Sequence, residues 1–223
     1  MTLKLFFSAI GKFVLGVILV GVLLFWPAGT LSFFNGWLLM GILFIPMFFA
    51  GVVMMIKNPQ LLAKRLNAKE RERDQGLIVK LSGLMFLIGF LLAGFGYRFD
   101  WYLLPRSVSI GAAVVFLLAY VLYAEVLREN TYLSRTIEVQ EGQKVIDTGL
   151  YGMVRHPMYS VTLILFLAMP FVLGSLYSVV VFLAYPPMIA QRIKGEEALL
   201  EQELDGYREY KKKVKYRLIP LLW

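Results

Sequence analysis

The stretch SVTLILFLAMPFVLGSLYSVVVFLAYPPMIA, residues 160–190, decides the fold class of this 223-residue chain. It contains no charged residue, and it is interrupted by Gly174, Ser175 and three prolines. A helix that crosses a membrane needs about 20 mostly apolar residues, so the stretch is too long for one ordinary span and short for two. We therefore predict a hairpin of two short, proline-bent helices.

Four further apolar runs precede this hairpin, at about residues 6–26, 33–56, 77–97 and 108–127. The chain is 59% hydrophobic and only 17% charged, with a mean hydropathy of +0.68, far from the average of soluble domains. The first run carries Lys12 and exceeds the apolar core of a secretory signal, so we expect it to be retained. The prediction is an all-α integral membrane protein with about five to six transmembrane helices. We predict that residues 1–127 form its N-terminal spans and that residues 128–223 form a separate C-terminal region.

Lysine and arginine are unevenly divided between the two ends of these helices. One side receives Arg98 and Arg106, and the other receives Lys57, Lys64, Arg65, Lys69, Arg71, Arg73, Lys80, Arg128, Arg135, Lys144, Arg155, Arg192, Lys194, Arg208, Lys211, Lys212, Lys213, Lys215 and Arg217. Because cytosolic loops carry the excess of Lys and Arg, we predict that both termini and the basic loops are cytosolic. The net charge of +8 then reflects topology and attraction to anionic lipid headgroups, and no nucleic-acid partner is expected.

The residue types present restrict the chemistry. The chain has no cysteine and a single histidine, which excludes disulfides and thiolate nucleophiles and argues against a metal site. Any reaction must depend on carboxylates, arginines, tyrosines, His156 or a bound cofactor.

The first polar cluster, GLYGMVRHPMYS, occupies residues 149–160. Upstream, QEGQ predicts a turn between two short extended pieces, IEV and KVI. Pro157 suits the first turn of a helix, where its missing N–H costs nothing. Arg155 and His156 are therefore predicted at a helix N-terminus on the cytosolic membrane surface, an end that favours anions.

The second polar cluster, AQRIKGEEALLEQELDGYREYKKKVKYRLIPLLW, occupies residues 190–223. Arg192 and Glu196 are four residues apart and should share one helix face, with Glu197 beside it. Gly206 is predicted to end this helix, and the next one carries Tyr207 and Tyr210 on one face. The closing YRLIPLLW has the aromatic residues typical of a membrane interface.

Together, TGLYGMVRHPMYS, RIKGEEALL and GYREYKKKVKYRLIPLLW resemble the isoprenylcysteine carboxyl methyltransferase family, specifically its bacterial branch. The resemblance runs from about residue 130 to the C-terminus, and more weakly covers NPQLLAKR at residues 58–65. It implies a membrane-embedded enzyme, in a bacterial inner membrane, that takes S-adenosylmethionine (SAM) from the cytosol. The implied partner is a lipophilic or lipid acceptor from the bilayer, with a carboxylate as the leading candidate for the methylated group.

The resemblance also implies roles for individual residues. His156 and Tyr159 would contact the cofactor, Glu196 or Glu197 would reach its adenosine or amino-acid part, and Arg192 would orient the acceptor through its planar fork. The full implied cofactor set is Gly149, Tyr151, His156, Pro157, Tyr159, Glu196, Glu197, Tyr207 and Tyr210. The implied catalytic set is Arg192 and Arg155.

Other functions stay open on the sequence. A membrane reductase of the sterol-reductase type has a similar C-terminal region and would take NADPH, although the acidic pair Glu196 and Glu197 argues against a site for its 2′-phosphate. A small-thiol or phospholipid N-methyltransferase would have to remove a proton from its acceptor. A non-enzymatic scaffold or transporter would explain the spans, but it would not explain two polar clusters on one side of the membrane.

Overall fold

The structure is a computed structural model that describes residues 3–67, 73–101, 103–134 and 136–223, with only the backbone at residues 73 and 74. Within these ranges the helices are α1 (Leu3–Ala28), α2 (Phe34–Lys57), α3 (Pro59–Leu66), α4 (Arg73–Arg98), α5 (Arg106–Glu129), α6 (Pro157–Val172), α7 (Leu176–Phe182), α8 (Tyr185–Glu203) and α9 (Tyr207–Lys213). A 3-10 turn at Gly149–Gly152 lies in the connector between α5 and α6.

The predicted all-α membrane fold is confirmed. Five segments of the described chain are long and apolar enough to cross a membrane, namely Leu3–Ala28, Phe34–Lys57, Gln75–Arg98, Arg106–Glu129 and Leu176–Glu203. The shorter apolar helix α6 forms the first arm of the predicted hairpin. The break falls at Gly174, whose φ of 70° suits glycine. The second arm is longer than predicted, because α7 is followed by α8, which continues through polar residues to Glu203.

The connector between α5 and α6 confirms the predicted turn at QEGQ, where the N–H of Gln143 donates to the carbonyl of Gln140 at 3.0 Å. The flanking pieces IEV and KVI do not pair as strands. In the described residues, strand-like pairing is confined to one isolated bridge between Leu103 and Ser175. α8 ends shortly before Gly206, which has a φ of 82° and directly precedes α9.

Close helix packing builds the core between α4, α5, α6 and α7. The side chains of Phe116, Leu173 and Phe182 are fully buried there. A Cβ added at Gly89 of α4 would lie 2.4 Å from the ring of Phe182. A glycine is therefore required where α4 meets α7, in keeping with the small residues that let helices approach in membranes.

Lys12 of α1 donates to the carbonyl of Leu66 at 2.7 Å and Arg65 of α3 hydrogen-bonds Tyr123 of α5, so the start of α1, α3 and the end of α5 meet at one end of the bundle. The surface that we term the basic end comprises α3, the connector at 130–156, α9 and the C-terminal segment, residues 214–223. The opposite end is held by a hydrogen bond from Leu104 N–H to Gly174 O at 2.8 Å and one from Asn35 Nδ2 to Ser109 Oγ at 3.1 Å. Of the cations used for the topology prediction, Lys69, Arg71 and Arg135 lie outside the described residues, as does the side chain of Arg73.

Candidate functional site

A cavity of about 780 Å³ lies in the basic end and extends between the helices, a volume typical of small-molecule sites. One side, which we term the polar wall, is lined by Tyr151, Arg155, His156, Tyr159, Arg192, Glu196, Tyr207 and Tyr210. The apolar wall comes from α2, α4, α5 and α6 and includes Leu43, Met47, Phe86, Phe116, Leu165 and Met169. A single cavity therefore has a polar wall on one side and an apolar wall on the other.

Tyr159 connects α6 to α8 at the polar wall. Its hydroxyl donates to Glu196 Oε2 at 2.6 Å and accepts from Nε of Arg192 at 3.1 Å. Arg192 and Glu196 both line the cavity, so the face that their spacing predicts is confirmed. The result is a row of guanidinium, phenol and carboxylate along the cavity.

Glu197 has a different environment from its neighbour. It is 3% exposed and is not among the residues that line the cavity. Its Oε1 accepts from Nε of Arg155 at 2.7 Å and lies 3.3 Å from Nε2 of His156. Its Oε2 accepts from Nε of Arg217 at 2.9 Å and lies 3.9 Å from Nζ of Lys211. Both carboxylate oxygens are therefore engaged by basic side chains of the protein itself.

The C-terminal segment covers residues 155–157, which we term the RHP motif. The backbone N–H groups of Arg155 and His156 donate to the carbonyls of Tyr216 and Arg217, each at 2.9 Å. Nη1 of Arg155 also donates to the carbonyls of Val214 and Lys215, at 2.8 and 2.7 Å. The segment predicted for the membrane interface therefore contributes its backbone to the site.

His156 lies where the sequence predicts, at the start of α6, and is buried there. It is the residue directly before α6, and Pro157 is the first residue of that helix, as predicted. Its side chain is nevertheless covered by protein, since His156 is only 5% exposed. The cause is the C-terminal segment, which packs over it.

Gly149 and Pro157 are not among the cavity-lining residues. Backbone geometry explains the presence of each residue: Pro157 begins α6, and Gly149 lies in a turn. Gly149 has a φ of 51°, and a Cβ there would lie 1.4 Å from Oε1 of Glu129. Oε2 of Glu129 accepts from the N–H of Leu150 at 3.0 Å and so holds the 3-10 turn. The glycine is needed for this contact.

The three tyrosines Tyr151, Tyr207 and Tyr210 give the cavity aromatic sides. The hydroxyl of Tyr210 donates to the carbonyl of Tyr151 at 2.8 Å. The hydroxyl of Tyr207 is buried and has no hydrogen-bond partner among the described residues. Burial raises the pKa of all three phenols well above the usual range, so they stay neutral at physiological pH.

Several polar residues that line the cavity were not predicted as site residues, and Arg65 is one of them. Arg65 of α3 lines the cavity, whereas in the sequence it served as a topology signal and as the last residue of NPQLLAKR, where the family resemblance is weak. The available signal was the Asn-Pro pair in NPQLLAKR, which is typical of a helix start. Asn58 does cap α3, since its Oδ1 accepts from the N–H of Leu61 at 3.1 Å.

The fold and this site define a polytopic membrane protein in which a polar pocket opens into an apolar cavity. Residues 108–202 match the model of the isoprenylcysteine carboxyl methyltransferase (ICMT) family, which confirms the resemblance seen in the sequence. The matched region runs from α5 to α8 and includes Arg155, His156, Tyr159, Arg192 and both glutamates. Tyr207, Tyr210 and the C-terminal segment lie outside it.

The chain is also similar to a curated protein of Mus musculus, Delta(14)-sterol reductase TM7SF2. The two are 33% identical over 91 residues, which make up 40% of this chain and 22% of the reductase. This chain therefore spans less than a quarter of that relative's length.

Proposed function

We propose that this protein is an integral membrane methyltransferase that transfers a methyl group from SAM to a lipophilic acceptor, with a carboxylate as the leading candidate. The observation that carries the proposal is the row formed by Arg192, Tyr159 and Glu196 at the polar side of a cavity whose other wall is apolar. The match to the ICMT family over α5 to α8 supports it. We further propose residues 128–223 as the catalytic region, since they supply the whole polar wall, and residues 1–127 as the supporting spans.

The polar and aromatic groups of the polar wall fit SAM, which carries a sulfonium, an ammonium, a carboxylate and ribose hydroxyls. Glu196 offers a carboxylate in the cavity, and the buried hydroxyl of Tyr207, which has no partner within the described parts of the chain, offers a hydrogen bond. Tyr151 and Tyr210 supply aromatic surface suited to a cation or to adenine. Of the two glutamates we propose Glu196 as the one that contacts the cofactor, because Glu197 already binds basic side chains with both oxygens.

The other part of the proposed reaction concerns the methyl acceptor and the residues that would hold it. Bound SAM supplies an electrophilic methyl group, and an acceptor carboxylate is already ionised at neutral pH, so the protein need not provide a general base. We propose that Arg192 orients this carboxylate through its planar guanidinium, which the hydroxyl of Tyr159 holds in place. The apolar wall excludes water from the reacting groups.

For Arg155 we propose a positioning role. Although it lines the cavity, its guanidinium is bound by Glu197 and by the carbonyls of Val214 and Lys215. It therefore orders the C-terminal segment beside the pocket.

A second candidate function rests on the similarity to the sterol reductase. A reductase of that type would bind NADPH and transfer a hydride to an apolar substrate in the same cavity. The polar wall argues against it, because Glu196 would repel the 2′-phosphate of NADPH.

Titration calorimetry of the detergent-purified protein with S-adenosylhomocysteine (SAH) and with NADPH tests the proposal. We expect saturable binding of SAH and none of NADPH. The reverse pattern would establish the reductase alternative in its place. Binding of neither SAH nor NADPH would reject both enzymes and favour a scaffold.

We also propose that the basic end faces the cytosol of a bacterium, where SAM is available. The chain contains no cysteine, so single cysteines can be introduced without background. In spheroplasts we expect an impermeant maleimide to label Ser32→Cys at the opposite end and to leave Lys212→Cys on α9 unlabelled; both positions are exposed. Labelling of Lys212→Cys together with protection of Ser32→Cys would show that the basic end faces away from the cytosol.

A further inference from the structure

We propose that Arg65 binds the negatively charged head group of the acceptor and so selects acidic amphiphiles over neutral ones. The inference rests on the proposed function and names the acceptor class of the same cavity. Arg65 projects from α3, in the N-terminal half of the chain and outside the region that matches the ICMT family.

The contacts of Arg65 hold its guanidinium in place without neutralising it. Nη2 donates to the hydroxyl of Tyr123, and the guanidinium carbon lies 5.7 Å from the centre of that ring. Nη1 lies 3.4 Å from the carbonyl of Ser134 and 3.6 Å from the sulfur of Met158. All these partners are uncharged, so the positive charge remains to be matched by a ligand.

Two other arginines at the basic end differ from Arg65. Arg155 and Arg217 share the carboxylate of Glu197, whereas no carboxylate among the described residues lies within 4.0 Å of Arg65. A half-buried guanidinium in a cavity gains most from a carboxylate or similar anion, which its fork binds with charge-assisted hydrogen bonds.

The surroundings of Arg65 favour an anion attached to a long apolar chain. Leu62 and Leu66 of α3, Met54 of α2 and Leu127 of α5 line the same cavity. A free inorganic anion would leave these side chains without a partner, whereas a lipophilic acid satisfies both parts of the cavity.

The position of Arg65 also relates it to the proposed reaction centre. It contacts Met158, and the next residue, Tyr159, hydrogen-bonds Arg192. The two arginines thus meet the first turn of α6 from α3 and from α8. Arg65 contributes affinity for the acidic head group, whereas Arg192 contributes its alignment.

The test compares farnesoic acid with farnesol, which share one chain and differ in the charge of the head group. Binding is measured to the full chain in lipid nanodiscs. We expect Arg65→Met to weaken binding of the acid about tenfold, the loss of one charge-assisted contact, and to leave farnesol and SAH affinities within about twofold. Lys64→Met is the matched control: it removes a positive charge from the same helix at a residue that is not among those lining the cavity, and it should change neither affinity.

Three results would overturn the proposal. Unchanged acid binding in Arg65→Met would remove the residue from the site. Equal losses for acid and alcohol would indicate a packing role, and a loss of SAH affinity would assign the residue to the cofactor. Because the acid–alcohol comparison requires no SAH, it remains decisive for Arg65 even if the protein binds NADPH and the methyltransferase assignment fails.

Discussion

Arg192→Lys will lose about 100-fold in turnover at saturating SAM, the cost typical of misplacing a reacting group, while its affinity for SAH stays within about twofold. Lysine keeps the positive charge but lacks the planar fork that can hold a carboxylate with one oxygen directed at the methyl group. It also cannot reproduce the hydrogen bond from Nε to the hydroxyl of Tyr159. A residue that aligns the reacting groups affects turnover more than cofactor binding.

The measurement is transfer of a radiolabelled methyl group from SAM to farnesoic acid, together with SAH titration and the melting temperature. Arg208→Lys on the exposed face of α9 is the matched control and should leave all three unchanged. Near-parental turnover in Arg192→Lys would exclude Arg192 from catalysis. A parallel decline of melting temperature and turnover would reduce it to a structural residue.

Glu197→Gln will have the largest effect on stability. The side chains of Glu197, Arg155 and His156 are each only 4% exposed. Neutralising the carboxylate leaves the guanidinium of Arg155 buried without its countercharge, and breaking a buried ion pair typically costs about 3–5 kcal/mol. The cost extends to the C-terminal segment, because Arg217 uses the same carboxylate.

Glu196→Gln is the control, because the two variants make the same chemical change at adjacent positions. Thermal denaturation in detergent should show a large decrease in melting temperature for Glu197→Gln and little change for Glu196→Gln. SAH titration at a temperature where both are folded should show the larger affinity loss for Glu196→Gln. If Glu197→Gln melts like the parent chain, the ion-pair cluster does not stabilise the fold.

The spans were predictable because membrane thickness fixes their length. The run predicted at about 33–56, for example, is α2 at Phe34–Lys57. Short-range features of the site were also predictable: the shared face of Arg192 and Glu196 follows from helix geometry alone, and Pro157 does begin α6.

The parts that could not be predicted depend on contacts between distant segments. Glu196 and Glu197 are adjacent, and only the rotation of α8 against α6 and the C-terminal segment decides which one lines the cavity. Arg65 and Met158 are separated by 93 positions in the chain, so no local pattern predicts that they meet. The burial of His156 likewise depends on a segment about 60 residues further along.

The large sequence separation between Arg155 and the C-terminal segment affects how the pocket forms during synthesis. Arg155 donates to the carbonyls of Val214 and Lys215, which are synthesised 59 and 60 positions later in the chain. At translation rates of roughly 5–20 residues per second, the ribosome needs about 3–12 s to make the intervening chain. During this interval α6 can enter the bilayer, but the RHP motif has neither Glu197 nor the C-terminal segment to order it. The nascent protein therefore acquires its membrane topology before its pocket, and the pocket is ordered only when the C-terminal segment folds back onto the inserted helices.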